Sequence, residues 1–187
     1  MDIEKAKQID GWMTEKELEW LAKTAQTKFT ILEIGSWHGR STRALADNTV
    51  GYVIAVDHFN GSRNEQDSGH ASARDQGGDD ALIKFAENMF DKLMTGKVVA
   101  IRGNSENVLS LLASKGFKVD MVFIDGGHSY EEVRYDIKMA MKLTGPNTIV
   151  CGHDYCDAWP GVKRAVAEAF GDDFLIGKDT TIWYTIL

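Results

Sequence analysis

Two cysteines and two prolines are all that this chain of 187 residues contains of either type. Cys151 and Cys156 stand in a C-x-x-x-x-C spacing that matches no common zinc or redox pattern, and two cysteines build no disulfide framework. They read as small apolar residues in a reducing cytoplasm. No apolar run is long enough to cross a bilayer. The first residues, MDIEKAKQIDGWMTEKELEW, lack the apolar centre of a signal peptide, so a cytoplasmic location is expected. Basic residues are in deficit: 21 Lys and Arg face 28 Asp and Glu, a net charge of −7. That balance argues against nucleic acid or an acidic membrane surface as the main partner. There is no internal repeat and no composition break, so residues 1–187 suit a single domain.

What the chain does have is a unit of strand, glycine loop and helix at Phe29–Ala46, FTILEIGSWHGRSTRALA. Phe29–Ile34 is a short run rich in branched residues, as in a strand buried on both faces. Such a loop lies at the carboxyl end of its strand, where open α/β sheets bind ligands. A dinucleotide site wants G-x-G-x-x-G. Here the spacing is Glu33-x-Gly35-x-x-x-Gly39, and Trp37 stands where the second glycine would admit a pyrophosphate. E-x-G-x-x-x-G after a strand resembles the first motif of the class I S-adenosylmethionine-dependent methyltransferases. In that family the glycines let the backbone pass close to the methionine and ribose parts of the cofactor.

The rest of the chain alternates. Thr14 with Glu17 forms a capping box ahead of a helix whose stripe is Leu18, Leu21, Ala22 and Ala25, so residues 1–28 are expected as a helical cover. Tyr52–Asp57 is the second strand. It ends on a carboxylate about 20 residues past the glycine loop, where doubly wound folds hold ribose hydroxyls. Residues 58–80 are polar, glycine-rich and irregular, which suggests a lid. A helix over Asp80–Met94 follows, then a strand over Lys97–Arg102 and a helix from Glu106 to Lys115. Asn104 sits where methyltransferases of this class often place an acid or amide near the adenine, and Ser105 reads equally as a helix N-cap. Strands at Val119–Asp125 and Asn147–Cys151 flank a helix over Glu131–Leu143. A helix at Pro160–Phe170 precedes an antiparallel hairpin, Phe174–Gly177 with Thr181–Ile186. The expected fold is α/β: a doubly wound, Rossmann-like, seven-stranded and mostly parallel sheet in the order 3-2-1-4-5-7-6, as the resemblance requires.

The fourth strand delivers Asp125 and His128, and the fifth delivers His153 and Asp154. Neighbouring strand ends lie about 5 Å apart, so two carboxylates and two imidazoles can converge beside the glycine loop and bind a divalent cation. The stretches Phe123–Tyr130, FIDGGHSY, and Gly152–Tyr155, GHDY, resemble the small O-methyltransferases related to catechol and macrocin-type enzymes. The resemblance implies a magnesium site on the acid after the fourth strand and on the pair after the fifth. Here that means Asp125, His153 and Asp154, with His in place of the pair's first acid. It implies a base three residues beyond the first acid, which is His128, a residue with a suitable pKa. It also implies S-adenosyl-L-methionine as cofactor, with a divalent metal, Mg or Mn, beside it. The cofactor site is expected from Glu33, Gly35, Ser36, Trp37, Gly39, Asp57, His58, Asn104, Ser105 and Asp125.

Taken alone, His128 reads equally as a cap of the helix that follows, and His153 as a hydrogen-bonded turn residue. Trp12, Trp20, Trp159 and Trp183 read as packing, while Trp37 is placed to pack on the cofactor. The expected activity is metal-assisted O-methylation of a small hydroxylated molecule. The expected partners are that substrate and, as a homodimer, a second copy. Two alternatives are a nucleotide-dependent oxidoreductase, opposed by the missing glycine, and a cofactor-binding module without catalysis, opposed by the presence of Asp125 and Asp154. Amino-methylation of nucleic acid would need an acid or amide followed by Pro-Pro and an aromatic after the fourth strand, where this chain has Asp-Gly-Gly-His.

Overall fold

A computed structural model describes residues 1–61 and 78–187. The expected lid, residues 58–80, falls for the most part outside the described residues. The strands are β1 (Thr30–Ile34), β2 (Tyr52–Asp57), β3 (Val98–Arg102), β4 (Met121–Ile124), β5 (Ile149–Gly152), β6 (Leu175–Ile176) and β7 (Trp183–Ile186). They form one seven-stranded sheet in the order β3-β2-β1-β4-β5-β7-β6. The first five pair in parallel, and β7 runs antiparallel to both β5 and β6. This is the expected topology. The parallel strands are apolar at successive positions because both faces are covered. Ile31, Val53, Ala55, Met121 and Phe123 point to one core, and Leu32, Ile34, Ile54, Val56, Val122 and Ile124 to the other.

The first face carries α1 (Glu4–Gln8), α2 (Glu15–Ala25), α3 (Arg40–Asn48), α4 (Gly78–Asn88) and α5 (Phe90–Met94). The second carries α6 (Ser105–Ser114), α7 (Tyr130–Leu143) and α8 (Pro160–Phe170). The single helix expected over Asp80–Met94 is two. Buried Met89 (φ −104°, ψ 6°) interrupts it, and the Arg43 guanidinium takes the Asn88 carbonyl at 3.2 Å. Arg43 is itself buried and also pairs with Asp47 and Asp91, which ties α3 to α5.

The capping box before α2 is formed as read, with the Thr14 hydroxyl accepting from Glu17 N and the Glu17 carboxylate accepting from Thr14 N. Asn104 caps α6, its side-chain oxygen accepting from Glu106 N at 2.8 Å. Ser105 is therefore the first residue of that helix and not its cap. The cap of α7 is Ser129, so His128 is not spent there. Trp183 and Trp20 pack as expected, Trp183 in the core and Trp20 against Tyr184. Gly152 is required beneath Trp183, since a Cβ there would lie 2.5 Å from the indole.

The turn after β1 is among the tightest points of the fold. Gly35 has φ +85°, and a Cβ on it would stand 2.0 Å from the Asp125 carbonyl oxygen, backbone that cannot swing aside. Gly35→Ala is expected to cost about 3 kcal/mol or more of stability in urea unfolding. A loss below about 1 kcal/mol would mean that the β1 turn and the end of β4 separate easily.

Candidate active site

A cavity of about 770 Å³ opens at the carboxyl ends of the parallel strands. Its centre is the glycine loop, where Gly35, Trp37 and Gly39 all have positive φ. A bulky residue such as Trp37 enters that region only under constraint. The constraint is Asp57: its Oδ2 accepts from Ser36 N at 2.7 Å and from Trp37 N at 2.8 Å, and its Oδ1 accepts from Phe59 N at 2.6 Å. Asp57 lines the cavity as expected, yet about half of its accepting capacity goes to the loop and a further position to Phe59 N.

Glu33 and Gly39 do not line the cavity. Glu33 is fully buried under the loop, where its Oε2 accepts from Ser36 Oγ at 2.9 Å and from the Thr42 hydroxyl. Burial raises its pKa to about 7, against the pull of the Ser41, Thr42 and Ser36 hydroxyls. Gly39 starts α3, and its left-handed φ and the packing of Met89 and Phe85 against it explain the glycine. Ser36, Trp37, His58, Asn104, Ser105 and Asp125 line the cavity together with Gly35. His58 is half exposed beside Asp57, and its Nδ1 accepts from Asn60 N at 3.0 Å.

The two strand ends do converge. His128 Nε2 lies 2.7 Å from Asp154 Oδ2, and His153 Nδ1 lies 3.3 Å from the same oxygen and 3.4 Å from Asp125 Oδ1. Asp154 reaches in from a left-handed residue, φ +63°. On its far side His153 Nε2 stands 3.1 Å from Glu17 Oε1, close enough for an ion pair though off the line of a hydrogen bond. Burial alone would lower the His153 pKa, but the charge of Asp125 and the close contacts with Asp125, Asp154 and Glu17 win, and it is raised well above the usual range. Burial likewise works against Asp154 and Glu17 as anions. The two imidazoles outweigh it at Asp154, which is lowered, and His153 with the Thr14 and Thr181 amides outweighs it at Glu17, which is held at about 2.

Asp125, His128 and Asp154 each offer a donor atom, all within 4.8 Å of one another. Two carboxylates and an imidazole facing a cavity fit a divalent cation. The sequence placed His153 in that set and left His128 out. In the structure both His153 nitrogens face carboxylates, and His128, expected as the base, stands within reach of Asp125 and Asp154.

Four residues that help to build the site carry no sequence signal as site residues. Trp159 stacks on His128, with centroids 4.1 Å apart at 19°. Trp12 tilts against Trp37 at 5.8 Å. Both line the cavity, so reading them as packing was incomplete. Glu17 was legible only as half of a capping box. Arg40 spends its guanidinium on the carbonyls of Met13 (2.9 Å), Lys7 (3.0 Å) and Ile9 (2.5 Å), which pins the segment that walls the cavity at Gly11–Thr14.

Comparison with known proteins agrees with this architecture. A family profile described as a methyltransferase domain matches residues 32–155. No curated protein matches at a significant level. An O-methyltransferase from Bacillus cereus, solved in complex with SAH, superposes with a TM-score of 0.65 at 18% identity, over 99% of this chain and 90% of its own. The O-methyltransferase TomG from Streptomyces achromogenes, involved in tomaymycin synthesis and solved with SAM, gives 0.67 at 18% identity, over 100% and 91%. CalS11, a TDP-rhamnose 3'-O-methyltransferase, gives 0.62 at 15% identity, over 90% and 76%.

Glu33 provides a test of the loop. Its folded-state pKa of about 7 lies above the ordinary 4.5. Between those values the folded state holds a proton that the unfolded chain releases, so this group makes stability fall as pH rises through the window. Glu33→Gln is expected to remove up to about 3 kcal/mol of the stability lost between pH 5 and pH 8. Parallel pH profiles of unfolding for wild type and variant would sink this account of Glu33.

Proposed function

We propose, from the premise that this chain belongs to the methyltransferase-domain family, that it moves a methyl group from S-adenosylmethionine to a hydroxyl of a small molecule. The observation that carries this reading is the cavity joining the Asp57-braced glycine loop to the Asp125, His128 and Asp154 cluster. The cofactor lies along Gly35–Trp37 and Asp57, and the acceptor enters between Trp12 and Trp159. No helix among the described residues is long and apolar enough to cross a membrane, so nothing there opposes a small diffusible acceptor.

In this reading Asp125, His128 and Asp154 hold a divalent cation, with His153 behind the two carboxylates to orient them. Such a cation, when bound, holds acceptor oxygens and lowers the pKa of the hydroxyl. Asp125 and Asp154 present anionic oxygens, and Glu17 anchors His153 so that neither carboxylate turns away. The acceptor oxygen, once deprotonated, attacks the methyl carbon, the carbon–sulfur bond breaks, and S-adenosylhomocysteine leaves. The 2.7 Å contact between His128 and Asp154 favours a second version without a cation. There Asp154 and the Trp159 stack fix the His128 ring, and Nε2 takes the hydroxyl proton directly.

Calorimetry is expected to detect S-adenosylhomocysteine binding and no NAD binding. Asp57→Ala should weaken the former by about 1.5–3 kcal/mol, because the loop loses its brace; unchanged affinity removes Asp57 from the site. Asp125→Asn and Asp154→Asn should each weaken manganese binding about tenfold or more, while His153→Asp should leave the order of metal preference alone. Full methyl transfer in chelated enzyme, with metal affinity equal in all variants, leaves the metal-free version standing.

A further inference from the structure

The cavity wall carries an excess of one charge where the acceptor enters. Asp125 and Asp154 stand at the strand ends, Glu17 lies behind them, and Glu131 and Glu132 belong to the first turn of the helix that leaves β4; all five line the cavity. Arg40 is the only lysine or arginine in that wall among the described residues, and its guanidinium is spent on the carbonyls of Met13, Lys7 and Ile9. Several of the acid oxygens are bonded: Glu17 accepts from Thr14 N and Thr181 N, and Glu132 accepts from Ser129 Oγ. Those donors are neutral, so they satisfy the oxygens and leave the charge in place. Five acids outnumber His128 and His153 even with both imidazoles charged. A divalent cation on Asp125, His128 and Asp154 needs a neutral His128, and the acids still exceed the charge of that ion and His153 together.

Glu131 is the member of this set placed to meet an incoming molecule. It is the second residue of α7, and its side chain is 77% exposed at the rim. Arg134 lies 3.9 Å away, at the limit of an ion pair, and also faces Glu168 at 3.6 Å and the Tyr130 ring. The charge of Glu131 is thus compensated only in part. Residues 62–77, outside the described residues, hold two arginines against three acids in the sequence, so they add no positive excess. A cleft lined by one sign of charge gathers ions of the opposite sign and repels those of its own.

We infer that the acceptor is a hydroxylated molecule bearing an ammonium group, and that Glu131 selects it by charge. The inference rests on the methyl-transfer reading above and adds the charge class of the acceptor to it. An ammonium entering between Trp12 and Trp159 meets Glu131 at the rim and two indoles, whose faces also favour a cation. A carboxylate or phosphate on the same scaffold meets acids at the rim and acids again at the strand ends. The methyl group still goes to the hydroxyl oxygen, because a protonated nitrogen has no lone pair with which to attack. A purely structural Glu131, an acid in the first turn of a helix, predicts a loss of stability on substitution and no change in charge preference.

The test compares two phenols of similar size and opposite charge, tyramine and 4-hydroxyphenylacetate, by calorimetry on the full chain loaded with S-adenosylhomocysteine. The wild type is expected to bind tyramine about tenfold or more tightly, since like charges brought together in a cleft are costly. Glu131→Gln should shrink that ratio about two- to fivefold, the scale of one exposed ion pair, and Glu131→Lys should shrink it further. Thermal unfolding reports whether each variant folds, and the wild-type ratio stands even where a variant does not. A wild-type ratio at or below one, or the wild-type ratio kept in a folded Glu131→Lys variant, overturns the inference. If neither phenol binds, the fluorescence that Trp12→Phe removes decides the matter. Cesium should quench it better than iodide, each measured against its quenching of free N-acetyltryptophanamide; an equal or reversed order overturns the charge selection. Failure of the wild type to bind S-adenosylhomocysteine overturns the cofactor reading itself, and this inference with it.

Discussion

The carboxylate of Asp57 sets the geometry on which the site depends. It reaches from the end of β2 to the backbone amides of Ser36 and Trp37 and holds a loop whose φ angles an unbraced chain would avoid. With that loop fixed, Gly35 passes against the Asp125 carbonyl, Glu33 is sealed beneath hydroxyls, and α3 departs at Gly39. The acid performs two jobs that sequence reasoning tends to assign singly. It stands where a ribose acid belongs, and it is the clamp that makes the loop a ligand-shaped surface.

At the other end of the cavity, charges are arranged in alternation. Glu17, His153, Asp154 and His128 follow one another at contact distances of 3.1, 3.3 and 2.7 Å. Each anion has an imidazole beside it, so burial of these groups is compensated. The order also separates duties. His153 and Glu17 are sealed from the cavity more completely than Asp125, Asp154 and His128, which keep part of their surface open. A buried pair behind and a partly open set in front is the arrangement expected of a supported reaction centre.

The parallel strands were legible because each is a short apolar run that ends in or runs into a glycine or an acid, and their order was legible from the resemblance to the methyltransferase fold. The glycine loop and the two Asp–His strand ends were legible for the same reason. What escaped depends on approach between distant segments. Glu17 and Thr181 are 164 positions apart and meet at 3.0 Å. The capping box accounts for one carboxylate oxygen of Glu17, and nothing in the sequence marks the partner of the other. Spacing gives the strand end that bears His128 or His153 and not the direction in which either ring turns. Trp12 and Trp159 had no periodicity to mark them.

The stretch shared with the family runs from residue 32 to residue 155. The cofactor loop, Asp57 and the four residues of the two strand ends all fall inside it. Gly11–Thr14, Glu17, Trp159 and Thr181, which complete the cavity wall, fall outside it. The enclosure is thus drawn from both sides of the boundary of that stretch: the cofactor loop and the strand ends lie within it, and segments that precede β1 and follow β5 complete the wall. A change in those outer segments alters the wall around the acceptor and leaves the matched stretch intact. Two proteins equally good by that stretch need have no substrate in common.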